Sequence, residues 1–175
     1  TEVGVEFFVS VQAVNYATEG EFTLQFSTVE TPANDECLGA VVIPTGNTTI
    51  TGSLRNATGT VGVNSSCEYY FGSPGVWYSM IGTGEVYSIS TCSSQMTFEA
   101  ALIVSTGSCD NQICVTAGVY NDYECSDALL SAARVIFRTE VGVEYFIHIQ
   151  SLSFSSEGDF TLHLSTVVVP ENDLC

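Results

Sequence analysis

The sequence predicts an all-β chain, a jelly-roll-like antiparallel β-sandwich in tandem repeats, stapled by disulfides. Three observations lead there. Apolar and polar residues alternate over short runs that Gly, Ser, Asn and Asp interrupt. Seven cysteines stand in 175 residues. The opening stretch of the chain also recurs near its end.

Alternation marks strands at Phe7–Val14, Phe22–Val29, Trp77–Ile81, Val86–Ser90, Leu102–Ser105, Val115–Tyr120, Val135–Phe137, Tyr145–Gln150 and Phe160–Leu164, with Thr48–Leu54 as a further strand. No helical period extends beyond about eight residues. About eight strands per unit, with turns between, is the arithmetic of a sandwich. Tyr145–Gln150 and Phe160–Leu164, joined across Ser155–Asp159, read as a hairpin, and Phe7–Val14 with Phe22–Phe26 reads as its earlier copy.

That copying is the most informative feature. Residues 1–37 align without a gap on 139–175, at an offset of 138, and 20 of the 37 positions are identical. Most differences are conservative, such as Phe7 against Tyr145. The chain therefore divides into residues 1–33, the end of a preceding unit; 34–169, a complete unit; and 170–175, the start of the next. A lone hairpin is marginal in water. Residues 1–30 are thus expected to pack into a body outside this stretch, with covalent continuity favoured over strand donation. Thr31-Pro32-Ala33 and Val169-Pro170-Glu171 are short connectors, which predicts stiff linear arrays of adjacent repeats.

Cys175 repeats Cys37, so each unit owns six cysteines: Cys37, Cys67, Cys92, Cys109, Cys114 and Cys125. Fifteen pairings are open in principle. Cys109 and Cys114 flank a short segment, Cys37 and Cys67 bracket another, and Cys92 and Cys125 remain. The expected bridges are 37–67, 92–125 and 109–114, with Cys175 pairing in the following unit. Zinc is disfavoured, since paired C-x-x-C knuckles are missing.

The run VWYSMIGTG, then SISTC, STGSC and a closing G-x-x-Y-x-I…G-D-F-T-L (Gly142, Tyr145, Ile147 and Gly158 to Leu162) resembles the pre-peptidase C-terminal (PPC-type) β-sandwich and its cysteine-bearing relatives in surface proteins. The resemblance spans the whole unit. It implies a jelly-roll-like, non-catalytic module of a secreted protein, and it assigns no ligand.

Charge excludes several functions. Formal net charge is −17, with 20 acids against Arg55, Arg134 and Arg138 and no Lys. Such a surface repels phosphate backbones and anionic membranes. It attracts divalent cations. No run approaches the roughly 20 apolar residues of a membrane span, so neither nucleic acid nor membrane insertion is expected. Nor is an enzyme. Nucleophile-elbow, H-E-x-x-H and phosphate-loop motifs are missing. His148 and His163 are replaced by Ser10 and Gln25 in the other copy, and both read as surface strand residues. No cofactor is implied beyond Ca²⁺, for which Asp110, Asn111, Asn121, Asp122, Glu124 and Asp127 offer oxygen ligands without EF-hand spacing. Asn34-Asp35, repeated as Asn172-Asp173, reads as a turn or strand-end cap. Trp77 and Tyr78, after Tyr69, Tyr70 and Phe71, suggest a sugar platform, although alternation sends at least one of them into the core.

These features describe an extracellular or cell-surface structural module, with copies of itself or adjacent repeats as partners. A carbohydrate-binding or adhesive module and an accessory domain of a secreted hydrolase are the alternatives. Three N-x-S/T sequons, at Asn47, Asn56 and Asn64, agree with an exported chain. Intact-mass and glycopeptide analysis of native material is expected to find sugar at all three. Three bare asparagines would overturn that expectation.

Overall fold

Strands form where the alternating runs find a partner. The computed structural model describes residues 6–14, 19–59, 67, 73–92, 96–119, 131–168 and 170. A single 3₁₀ turn, Cys37–Gly39, precedes β1 (Val41–Val42), β2 (Thr48–Ser53), β3 (Gly75–Ile81), β4 (Val86–Ser90), β5 (Ala100–Ser108), β6 (Asn111–Val119), β7 (Arg134–Arg138), β8 (Glu144–Ser151) and β9 (Asp159–Val167). The first sheet runs β1-β3-β8-β5-β6 and the second β2-β9-β4-β7. All pairs are antiparallel except β1 with β3. Two such sheets, closed face to face, make the expected β-sandwich.

Alternation places the core. Val76, Tyr78 and Met80 of β3, Leu102 and Val104 of β5, and Tyr145, Ile147 and Ile149 of β8 point inward from the first sheet. Tyr87 and Ile89, Val135 and Phe137, and Phe160, Leu162 and Leu164 meet them from the second. Each such side chain contributes about 1.5–3 kcal/mol by leaving water. The phenyl ring of Phe160 meets Tyr78 edge-on at 6.4 Å and Phe98 at 6.5 Å, a geometry that aromatic quadrupoles favour. At Gly52, opposite Phe160, any Cβ would collide with the Phe160 ring and the Tyr78 hydroxyl.

The two sheets differ in what covers them. In the second, β4 and β7 alternate between buried and more exposed residues, the mark of one wet face. In the first, β3 and β8 are buried on both faces.

Three expectations are corrected here. The first is the hairpin. Strand β8 pairs with β3 and β5, whereas β9 pairs with β2 and β4. The two do not pair with each other but arch from one sheet to the other, because both must turn an apolar face to the same core. Each ends in the interior of its sheet. The second is the N-terminal pair. Residues 6–14 and 19–30 contain no strand, and Phe7, Phe8, Phe22 and Phe26 are exposed. Their seats in this body are already filled by β8 and β9, and without a partner an apolar alternation has nothing to pair with.

The third is the disulfide pattern. Cys37 bonds Cys109, with Cα atoms 5.6 Å apart, and Cys67 bonds Cys114 at 5.3 Å. The expected 37–67 and 109–114 bridges do not form. Cys109 lies in the turn between β5 and β6, while Cys114 lies along β6. From the turn, the extended stretch Asn111 to Cys114 runs about 10 Å along β6, which takes Cys114 beyond the span of a disulfide to Cys109. A bulge does the rest. Val104 faces Thr116, but Ser105 faces Cys114, so Val115 is the extra residue. Such a bulge re-aims side chains and sets Cys114 toward Cys67. Cys92 is disulfide-bonded, and the 92–125 pairing lies outside the described residues.

Non-reducing peptide mapping is expected to recover 37–109 and 67–114. Chain entropy alone assigns each loop about 4 kcal/mol. The double variant Cys37→Ser, Cys109→Ser should lose stability on that scale in urea unfolding. Recovery of a 37–67 peptide would refute this pairing.

Candidate functional site

Two places gather the residues that sequence singles out. One is the entry of the chain into the unit. There the side-chain amide of Asn34 donates to the Trp77 carbonyl at 2.9 Å, and the Trp77 N–H donates to the Asn34 carbonyl at 2.8 Å. The Asp35 N–H donates to the Pro32 carbonyl at 3.0 Å, closing a turn. The buried Asp35 carboxylate accepts from the Thr58 N–H at 2.6 Å and from its hydroxyl at 2.7 Å. Asn34-Asp35 is thus both a turn and a tie to the edge of β3. Hydrogen bonds to an ionised carboxylate are the stronger kind, so the connector enters the body at a fixed angle.

Beside this anchor lies a groove of about 550 Å³. Pro32, Val41, Ile50 and Tyr78 supply its apolar surface, and Glu30 and Arg55 stand on its rim. Arg55 pairs with Asp159 at 3.2 Å, both largely exposed, a contact worth little in water. A hydrogen bond from Ser53, helped by one from Arg55, holds the Asp159 carboxyl below the ordinary range. Burial raises the Tyr78 phenol, while a hydrogen bond with Asn34 opposes the rise.

The second place is the outer face of the first sheet. Trp77 and His148 sit opposite each other across β3 and β8. Their rings stack at 4.1 Å with 7° between planes. Both are about 1% exposed. The expectation that His148 lies on the surface is therefore corrected. Cys67 is tied to this sheet through Cys114, with its sulfur 3.5 Å from the Thr116 carbonyl. Any Cβ at Gly75 would strike the His148 ring. His163, by contrast, is on the second sheet, half-buried, 3.1 Å from the Thr49 hydroxyl.

Burial lowers the His148 pKa to about 3, because a charged imidazole there would be stripped of water. Neither ring nitrogen has a hydrogen-bond partner among the described residues, nor have Trp77 Nε1, Gln150 Nε2 and Ser105 Oγ. Sealed and neutral, His148 serves packing. Trp77 and Tyr78 are both buried, on opposite faces of β3, and offer no platform to a sugar. Tyr69, Tyr70 and Phe71 lie outside the described residues.

The sequons frame an edge. Strand β2 is the outermost strand of its sheet. Asn47 precedes it and Asn56 follows it, both exposed. The Asn47 Oδ1 accepts from the Thr166 N–H at 3.2 Å, and Asn56 adopts a left-handed φ of 60°. Asn64 lies outside the described residues. Of the Ca²⁺ candidates, Asp110 and Asn111 are exposed at the β5–β6 turn, while Asn121, Asp122, Glu124 and Asp127 lie outside the described residues. Among the described residues no three His, Cys, Asp or Glu side chains converge as a metal site.

No family model matches the chain, and no curated protein does. Among solved structures it is similar to the pre-peptidase C-terminal domain of a collagenase from Bacillus anthracis. The identity is 16%, with 72% of this chain and 94% of that one covered and a TM-score of 0.45. It is also similar to Aeromonas hydrophila PliG, a periplasmic inhibitor of g-type lysozyme, at 11% identity, 73% and 96% coverage and a TM-score of 0.44.

The buried imidazole has a measurable signature. Its folded pKa lies below the unfolded value of about 6.5, so the unfolded chain binds the extra proton. Stability is full above about pH 6.5 and falls as pH drops toward 3, by up to about 1.4 kcal/mol per unit. Between pH 6.5 and 5 the wild-type chain is expected to lose about 2 kcal/mol more than His148→Phe in urea titrations. Identical slopes would show that His148 is not buried neutral.

Proposed function

We propose that this chain is a structural repeat module of an extracellular glycoprotein, its sandwiches joined end to end in a fibre or surface appendage. The 138-residue recurrence carries the reading. Its second copy supplies an interior strand to each sheet, and its first is left apolar and exposed.

Other features support this reading. Disulfides belong to an oxidising compartment. The Asn34-Asp35 tie fastens the connector to the body, and the same pair recurs at Asn172-Asp173, which favours a repeated, stiff joint. Sugar at Asn47 and Asn56 would shield β2, an open edge inviting pairing with other chains. A net charge of −17 keeps neighbouring fibres apart.

Electron microscopy of native material tests the reading. Linear arrays with one 138-residue unit per step are expected. Dispersed single globules would overturn it.

A further inference from the structure

We infer that residues 1–30 are the closing strands of another sandwich of this kind, lying immediately before them in the same polypeptide and completed by them in both of its sheets. The inference deepens the tandem reading and assigns a seat to a segment that has none here.

The side chains fit that seat. In β8, Tyr145, Ile147 and Ile149 face the core, and in β9 Phe160, Leu162 and Leu164 do. The offset of 138 replaces these six with Phe7, Val9, Val11, Phe22, Leu24 and Phe26. Every inward position stays large and apolar, yet in this chain all six are exposed by 48% or more. On the outer face, Phe146 and Gln150 recur as Phe8 and Gln12. A segment selected for solvent would not keep both faces of a strand that is buried on both.

The turn identifies the source. Residues 1–6 and 139–144 are the same six, Thr-Glu-Val-Gly-Val-Glu. In this unit that stretch links β7 to β8. Thr139 is buried, its hydroxyl donating to the Glu85 carbonyl at 2.9 Å and accepting from the Thr83 and Gly84 amides at 3.2 and 3.1 Å. Gly142, at a φ of 79°, donates its amide to the Gly82 carbonyl at 2.9 Å. These contacts seat the turn that leaves β7 against the turn between β3 and β4. A strand donated alone has no need of the turn behind it, so the retention of Thr1 and Gly4 at the places of Thr139 and Gly142 points to a chain that runs on from a β7 equivalent.

One position distinguishes the two seats. Ser10 stands where His148 stacks on Trp77. The body that residues 1–30 close is therefore matched to a smaller side chain there, and this chain's own body is not its best fit.

The test extends the full chain by placing a second copy of residues 34–138 ahead of Thr1. In the 175-residue chain, amides of 6–14 and 19–29 are expected to exchange like an unstructured peptide, while β8 and β9 are protected. In the extended chain the same amides should gain at least about 100-fold protection in a monomer. Should the Trp77 contact prevent closure, the extended chain carrying Ser10→His should restore it, which equally supports the seat. Lack of protection in both extended chains overturns the inference. So does protection of 6–29 in the 175-residue chain itself, whether as a monomer packed on its own body or as a concentration-dependent dimer. Single globules in native material would sink the fibre and leave this seat standing. Intact fibres with unprotected 6–29 would do the reverse.

Discussion

The structure depends on the arch from β8 to β9. One strand lies between β3 and β5, the other between β2 and β4, so the last two strands bridge the two halves of the fold. Without β8 the first sheet separates into β1-β3 and β5-β6. Without β9, β2 parts from β4 and β7. Tyr145, Ile147 and Ile149 face Phe160, Leu162 and Leu164 across one core, which makes the arch a hydrophobic bolt through both sheets.

Around that bolt the covalent ties act on the periphery. The 37–109 bond joins the entry turn to the β5–β6 turn, and 67–114 ties Cys67 to β6. Neither lies in the inter-sheet core. Their contribution falls mainly on the unfolded chain, whereas the uniqueness of the folded one rests on packing. The Trp77–His148 stack belongs to the same peripheral layer. It packs the outer face of the first sheet, at the cost of a histidine that is held neutral there.

How much of this was legible in the sequence follows from what each signal reports. Alternation located β2, β3, β4 and β5 through β9 to within a few residues, because period two is a local consequence of one buried face. It could not say which sheet β8 and β9 join, since Ser155–Asp159 suits an arch as well as a hairpin. Cysteine spacing misled for the same reason. Cys109 and Cys114 are near neighbours in sequence, but the extended stretch Asn111 to Cys114 spends its residues on distance. The surface reading of His148 fails because β8 is buried on both faces. A clue was present in its pattern, since Tyr145 to Ile149 is apolar at every position but one. The resemblance to the PPC-type sandwich agreed with the fold class and named no site.

The order of strands along the chain has a bearing on biosynthesis. A ribosome delivers β1 through β7 first, with the closing strands still to be made. During that interval Cys37, Cys67, Cys109 and Cys114 share a collapsed, unfinished body. Loop closure favours the nearest thiol, so Cys109 and Cys114 are the pair that chance brings together first, and it is the wrong pair. Pairing of β5 with β6 from Ser108 and Asn111 onward carries Cys114 away from Cys109. A 109–114 bond formed early would therefore have to be undone by thiol–disulfide exchange before 37–109 and 67–114 could close.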